Sequence, residues 1–217
     1  RGSHPDREDQ DRHAGQRGWR KRRGGNFMKR IILAITGASG AILGIRILEL
    51  LKEAGVETHL IVSRAAEQTI TSETDWAVAD VKALASVCYE PQDIGARIAS
   101  GSFVTDGMLV VPCSIKTLSG IANSYAEDLV VRAADVCLKE GRKLILAVRE
   151  TPLHLGHLEL MQQAARAGAV IFPPVPAFYG RAQTVNQLVD GLAGRILLRM
   201  GIENKHYHRW GGNEDTD

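Results

Sequence analysis

The residues Thr36-Gly37-Ala38-Ser39-Gly40 have the types and spacing of an anion-binding turn. They follow an apolar run, Ile31 to Ile35. An amphipathic segment comes next, apolar at 42, 43, 45, 47, 48, 50 and 51, and stops at Gly55. That order reads as buried strand, glycine turn, helix. The first amides of a helix have no intrahelical partner and lie at the positive end of its dipole, so they favour a phosphate. Ser39 adds a hydroxyl. The glycines fall as G-x-x-G-x-x-x-G, which is not the G-x-G-x-x-G of dinucleotide sites. The next apolar run, 57–62, ends at Ser63, where a dinucleotide site usually carries an acidic ribose ligand. A serine there can donate to a phosphate or to a flavin edge. The turn therefore reads as a mononucleotide site, with FMN the leading ligand. A glycine turn that only packs a helix on a strand is the structural alternative.

Three further clusters could do chemistry. Pro112-Cys-Ser-Ile-Lys-Thr117 offers the Ser114 and Thr117 hydroxyls at a helix start, either as a second anion or ring-edge site or as ordinary capping. Cys113 has no histidine spaced to activate it and reads as a buried structural thiol. Arg149-Glu150 closes another apolar run: the guanidinium fork suits phosphate, and the carboxyl could carry a proton if its environment raises its pKa. A surface ion pair is the plainer account of the two. His154 and His157, with Glu159 nearby, lack a sensibly spaced third ligand, so no metal site is expected. The run Pro173-Pro-Val-Pro-Ala-Phe-Tyr179 would hold Tyr179 on a stiff extended segment. Arg195 sits at the edge of an apolar helix face, where an arginine snorkels or reaches a phosphate.

Elements must place these clusters together. Near-continuous apolar runs at 30–36, 57–62, 107–112, 143–148 and 169–172 predict strands. Amphipathic stretches at 41–54, 64–73, 78–85, 115–122, 127–140, 155–167 and 184–200 predict helices. The segment 86–106 carries no clear period and reads as loop. Buried strands alternating with helices indicate an α/β fold, a doubly wound parallel sheet in a Rossmann or flavodoxin-like three-layer sandwich. In such sheets ligands sit beyond the carboxyl ends of the strands. Thr36–Gly40, Ser63, Pro112–Thr117 and Arg149-Glu150 all fall there.

Composition sets the outer bounds. Of 217 residues, 44% are hydrophobic and 24% charged, an ordinary globular balance. The formal charge of +2 is uneven: residues 1–27 hold 8 Lys/Arg against 4 Asp/Glu, and the rest 19 against 21. Residues 1–27 read as a disordered leader or tag-like segment ahead of Met28, outside function, and 28–217 as one FMN-binding domain. The basic run Arg20–Arg23 is too short to argue for nucleic acid. No apolar run is long enough to span a membrane. Three cysteines without metal or redox spacing fit a reducing compartment, so the expectation is a cytoplasmic protein that binds neither nucleic acid nor membrane.

Taken in order, Thr36–Gly40, Ser63, Pro112–Thr117, Arg132-Ala-Ala-Asp135, Leu138-Lys-Glu140, Arg149–Pro152, Pro173–Tyr179 and Arg209-Trp210 resemble the UbiX family of flavin prenyltransferases, whose older name is aromatic acid decarboxylase subunit. The resemblance runs from about Met28 to Trp210. It implies an enzyme that joins the dimethylallyl group of dimethylallyl phosphate to reduced FMN, first at the central-ring nitrogen and then at the neighbouring ring carbon. Phosphate leaves, and no metal is needed. The product, prenylated FMN, would serve a UbiD-type decarboxylase, as in ubiquinone biosynthesis or aromatic acid decarboxylation. A homododecamer with sites between subunits is implied as well.

Carried over by position, the resemblance implies FMN contacts at Gly37, Ala38, Ser39, Ser63, Ser114, Ile115, Lys116, Thr117 and Arg149, with Arg132 beside them. It implies a prenyl phosphate pocket of Lys139, Glu150, Tyr179 and Arg195, and catalytic positions at Glu73, Glu150, Ser39 and Trp210. Cations and donors around a departing phosphate fit metal-free allylic C–O cleavage. Two other functions use the same fold class: an FMN-dependent decarboxylase of cysteine-peptide type, and a flavin carrier without chemistry. Neither needs the Lys139–Tyr179–Arg195 cluster.

Overall fold

The computed structural model describes residues 28–207, and the structural statements below concern those residues. Six strands form one parallel sheet: β1 (Arg30–Ile35), β2 (Glu57–Val62), β3 (Val87–Tyr89), β4 (Gly107–Cys113), β5 (Lys143–Val148) and β6 (Val170–Ile171). They stand in the order β3-β2-β1-β4-β5-β6. This is the Rossmann order; a flavodoxin sheet would run 2-1-3-4-5. The order of connection reverses between β1 and β4, so their carboxyl ends open the crevice where such sheets bind ligands.

Side chains of a strand alternate between faces, and β1 feeds two cores. Ile31, Leu33 and Ile35 pack under helices α1 (Ala41–Glu53), α2 (Arg64–Glu73), α3 (Val78–Ala83) and α7 (Val185–Arg199), meeting Leu48, Ile70 and Ile196. Ile32 and Ala34 face α4 (Ile115–Ala122), α5 (Leu129–Lys139) and α6 (Leu155–Arg166), with Leu118, Val130 and Ala164. Cover on both faces explains why β4 is buried at all seven positions, and why it reads as an unbroken apolar run. Each Leu or Ile so buried contributes about 1.5–3 kcal/mol.

The segment 86–106, expected as loop, contains the edge strand β3 and a short 3-10 turn at Arg97–Ala99. Three residues are too few to show a two-residue period. This segment covers one face of β1 and β2, over a polar network. His59 is only 1% exposed; its Nδ1 lies 2.8 Å from Tyr89 Oη and its Nε2 3.0 Å from Glu57 Oε1. Arg30 grips both Glu57 oxygens, at 2.9 and 3.1 Å. The Arg30 and Arg97 guanidinium groups each lie 4.5 Å from the centre of the Phe103 ring.

Acid should unpick this network. Burial works against the Glu57 carboxylate, but the hydrogen bonds from Arg30 and His59 outweigh it and hold its pKa below the usual 4.5. Burial pushes His59 below its usual 6.5, against the pull of Glu57. Both groups therefore bind fewer protons folded than unfolded, and stability falls as protons are added. The decline begins as pH drops below 6.5, where unfolded His59 starts to charge. A second decline begins below 4.5 and continues through the depressed Glu57 value. Urea midpoints at fixed protein concentration from pH 8 down to about 3 should show both limbs, and His59→Gln should flatten the upper one.

Candidate functional site

Thr36 ties the crevice shut at its base. Its Oγ1 donates to Pro112 O at 2.7 Å and accepts from Ser114 N at 2.9 Å. The ends of β1 and β4 are thereby fixed to each other. Gly40, the N-cap of α1, has φ of 97°, a left-handed conformation that glycine adopts without a Cβ clash. Gly37 is needed for a different reason: a Cβ there would stand 2.3 Å from Ala65 Cβ, so α2 packs directly on the turn. Ser39 is exposed at its tip.

The amides at the start of α1, expected to meet a phosphate, are engaged within the chain. Gly40 N and Ala41 N both donate to Glu73 Oε2, at 2.8 and 3.2 Å. The carboxylate from the last residue of α2 takes the place at the dipole that a phosphate would otherwise take. A dianion beside it would be repelled. Glu73, which the family resemblance implied as a catalytic position, thus sits at the turn as the ligand of its backbone.

Donors stand on the neighbouring strand ends. Ser63 follows β2 and caps α2, its Oγ accepting from Ala66 N at 3.1 Å. Ser114 follows β4 and caps α4, accepting from Thr117 N at 3.3 Å and donating to Thr117 Oγ1 at 3.1 Å. Ile115 and Lys116 open that helix, Lys116 exposed. Arg149 and Glu150 follow β5, both exposed, and Glu150 Oε1 accepts from Thr151 N at 3.0 Å. The turn after β1 and these three strand ends line one edge of the sheet. Cys113 is fully buried and burial drives its thiol far above the ordinary value, so it is no nucleophile. Burial likewise pushes Cys137 up to about 11.

Beyond β6 lies a separate cavity of ≈ 620 Å³, between the extended segment 172–183 and α7. Tyr179 and Arg195 both line it, as do Lys205, His206 and Tyr207. Tyr207 joins the first two: its Oη is 2.5 Å from Tyr179 Oη, and the Arg195 guanidinium lies 5.0 Å from its ring centre. The bond to Tyr207 is the main cause that raises the Tyr179 phenol above its usual pKa. Deeper in, His206 Nδ1 is 3.9 Å from Asp190 Oδ2, and Arg46 Nε is 2.6 Å from Asp190 Oδ1. Tyr207 escaped the sequence reading because it lies past the last predicted helix, in a stretch without periodicity.

Two expected partners stand elsewhere. Lys139 was grouped with Tyr179 and Arg195 around one phosphate, and within a chain it is not with them. It ends α5, which runs back to the amino end of β5, and its Nζ pairs with Glu140 beside Gly101. Arg132, on the same helix, donates to Ala99 O at 3.2 Å and pairs with Asp135 at 3.1 Å. It faces the 97–99 turn. Trp210 and the leader at 1–27 lie outside the described residues. His154 and His157 stack with ring centres 3.6 Å apart, and no group of three or more metal-ligating side chains occurs among the described residues. Nor is any helix among them long and apolar enough to cross a membrane.

A Rossmann-order sheet with hydroxyls and a guanidinium on its carboxyl edge defines a nucleotide-binding protein, and the flavoprotein family model matches residues 21–197. The flavin prenyltransferase UbiX of Escherichia coli strain K12 is 54% identical over 188 residues, which cover 85% of this chain and all of that relative. A UbiX protein (PadA1) solved in complex with FMN and dimethylallyl pyrophosphate superposes with a TM-score of 0.85 at 49% identity, covering 86% of this chain and 100% of that one. A dodecameric FMN-dependent UbiX-like decarboxylase from Escherichia coli O157:H7 gives 0.83 at 49% identity, covering 84% and 100%. The chain belongs to the UbiX family of flavin prenyltransferases.

Proposed function

We propose that this protein transfers a dimethylallyl group from dimethylallyl phosphate to reduced FMN, releasing phosphate and giving prenylated FMN for a UbiD-type decarboxylase. The observation that carries the reading is a second cavity with a guanidinium and a phenol in its lining. Tyr179 and Arg195 share a cavity that none of the flavin-edge residues lines. A flavin carrier, or a decarboxylase of cysteine-peptide type, has no use for a phosphate clamp of its own.

The donor set on the carboxyl edge fits a flavin mononucleotide. Ser63, Ser114 and Thr117 offer hydroxyls and first-turn amides, and Arg149 a planar cation. Bound and reduced, FMN supplies the nucleophilic ring. Arg195 would neutralise charge gathering on the departing phosphate, and Tyr179 would donate to it. Glu150, exposed at the end of β5, is assigned to hold and move a proton during ring closure, with Ser39 across the crevice. Glu73 would fix the turn that carries Ser39.

Assembly brings the loci together in this reading. The flavin edge of one subunit meets the cavity of another in a homo-oligomer, which the dodecameric relative supports. Lys139 and Arg132, turned away from their own chain's crevice, would serve a neighbour's site, and Trp210 would close it. Residues 28–217 act as one domain, and three unpaired cysteines support a cytoplasmic setting.

Anaerobic incubation with reduced FMN and dimethylallyl phosphate tests the activity. Mass spectrometry should find a flavin heavier by one five-carbon unit, with phosphate released in equal amount. Recovery of unmodified flavin would sink the proposal.

A further inference from the structure

Tyr207 belongs to neither the glycine turn nor the proline-rich segment, yet it touches both groups assigned to the prenyl phosphate. Its hydroxyl is 2.5 Å from Tyr179 Oη, and its ring lies 5.0 Å from the Arg195 guanidinium. We propose that Tyr207 is a positioning residue of the phosphate site: its hydroxyl donates to the Tyr179 phenol, and its ring seats the Arg195 guanidinium. The assignment rests on the reading of the cavity given above.

Donor counting fixes the direction of the bond. A phenol has one proton. If Tyr179 gives its proton to a phosphate oxygen, it can meet Tyr207 only as acceptor. The chain then runs from Tyr207 O–H to Tyr179 O–H to phosphate. The bond holds Tyr179 to one direction and leaves its single proton for the phosphate. That matters for Tyr179, which stands exposed on an extended segment. Arg195 is also exposed, and a long flexible cation in water loses much of its side-chain entropy when it must aim at one oxygen. An aromatic face beneath the guanidinium restricts it beforehand.

The backbone around Tyr207 is secured on the same helix. Ile202 is buried and donates its amide to Leu197 O at 2.9 Å. Asn204 Nδ2 donates to Gly194 O at 2.9 Å, and Asn204 Oδ1 accepts from His206 N at 3.0 Å. Gly194 admits this strap because it has no side chain: a Cβ there would stand 2.7 Å from Asn204 Oδ1 and 2.8 Å from Tyr207 N. The residue that permits the approach is thus the immediate neighbour of Arg195. That arrangement fixes Tyr207 relative to α7 and through it relative to the phosphate cation.

A double-mutant cycle on single-turnover prenyl transfer tests the role. Tyr207→Phe keeps the ring and should leave FMN affinity and thermal stability at wild-type values, while slowing transfer about 3- to 10-fold. In a Tyr179→Phe background the same change should do nothing more, because the bond it removes is already gone. Tyr207→Leu also removes the ring and should be slower than Tyr207→Phe, but the two should become equal once Arg195 is replaced by alanine. A Tyr179→Phe enzyme that transfers at the wild-type rate would show that the cavity does not hold the phosphate, and both readings would fall. A slow Tyr179→Phe enzyme combined with a Tyr207→Phe effect that is nil, or that multiplies with it, would refute the positioning role alone.

Discussion

Arg195→Ala should leave FMN affinity near wild type and nearly abolish prenyl transfer. The guanidinium lines the cavity beyond β6, which no residue of the glycine turn, Ser63, Ser114 or Arg149 reaches. Its loss should leave the flavin's own contacts in place. Breaking an allylic C–O bond without a metal puts growing charge on the phosphate, and that charge is where a fixed cation acts. Removing it should cost about 2–4 kcal/mol in the transition state, roughly 30- to 1000-fold in rate. Arg195→Lys should recover only part, since an ammonium is a point charge and cannot reproduce the planar fork. Flavin titration and single-turnover kinetics on the same preparations separate the two effects. Loss of FMN with normal transfer on the remaining holoenzyme would show that the arginine serves the flavin instead.

The second large effect lies at the opposite locus. Ser39→Asp should weaken FMN binding by at least about 100-fold, near 3 kcal/mol. Ser39 is exposed at the tip of the turn, one residue before Gly40, whose amide is held by the Glu73 carboxylate. A second carboxylate beside the first meets like charge on one side and an electron-rich ring edge on the other. It would compete with Glu73 for the same amides, and either winner distorts the turn. Ser39→Ala, which deletes a neutral donor only, should cost about 0.5–1.5 kcal/mol. Equilibrium dialysis against FMN measures both variants; an aspartate variant that binds as well as the alanine one would overturn the placement of Ser39 against the ligand.

Much of this architecture was legible in the sequence, for identifiable reasons. The runs at 57–62 and 143–148 match β2 and β5 because sheet strands buried on both faces leave unbroken apolar stretches. Ser114 was legible as a cap because capping is chemistry local to a few residues, while Ser63, read only as a donor, caps α2 in the same way. β3 was not legible, since a three-residue edge strand shows no period. The engagement of Glu73 with Gly40 and Ala41 could not be read from spacing either. It spans more than thirty positions and depends on how α2 lies across the turn. Lys139 shows a different limit: a family match assigns a residue a part, but spacing along the chain does not say that the fold carries it to the end of α5, away from Tyr179 and Arg195. Tyr207 shows another, because a lone aromatic in a tail carries no pattern at all.

The contacts of α2 with the glycine turn bear on how fast and with what entropy FMN is taken up. Ala65, near the start of the helix, abuts Gly37, while Glu73 at its end holds Gly40 and Ala41. The turn is clasped at two points by a ten-residue rod anchored through buried Ala66 and Ile70. Its ordering is accomplished during folding, before any ligand arrives. In the proposed reading flavin would meet a turn that is already ordered, so little conformational entropy would be lost on association. Encounter rather than loop rearrangement should limit the on-rate. Substitutions at Ile70, which never meets the ligand, should register first as slower capture of flavin.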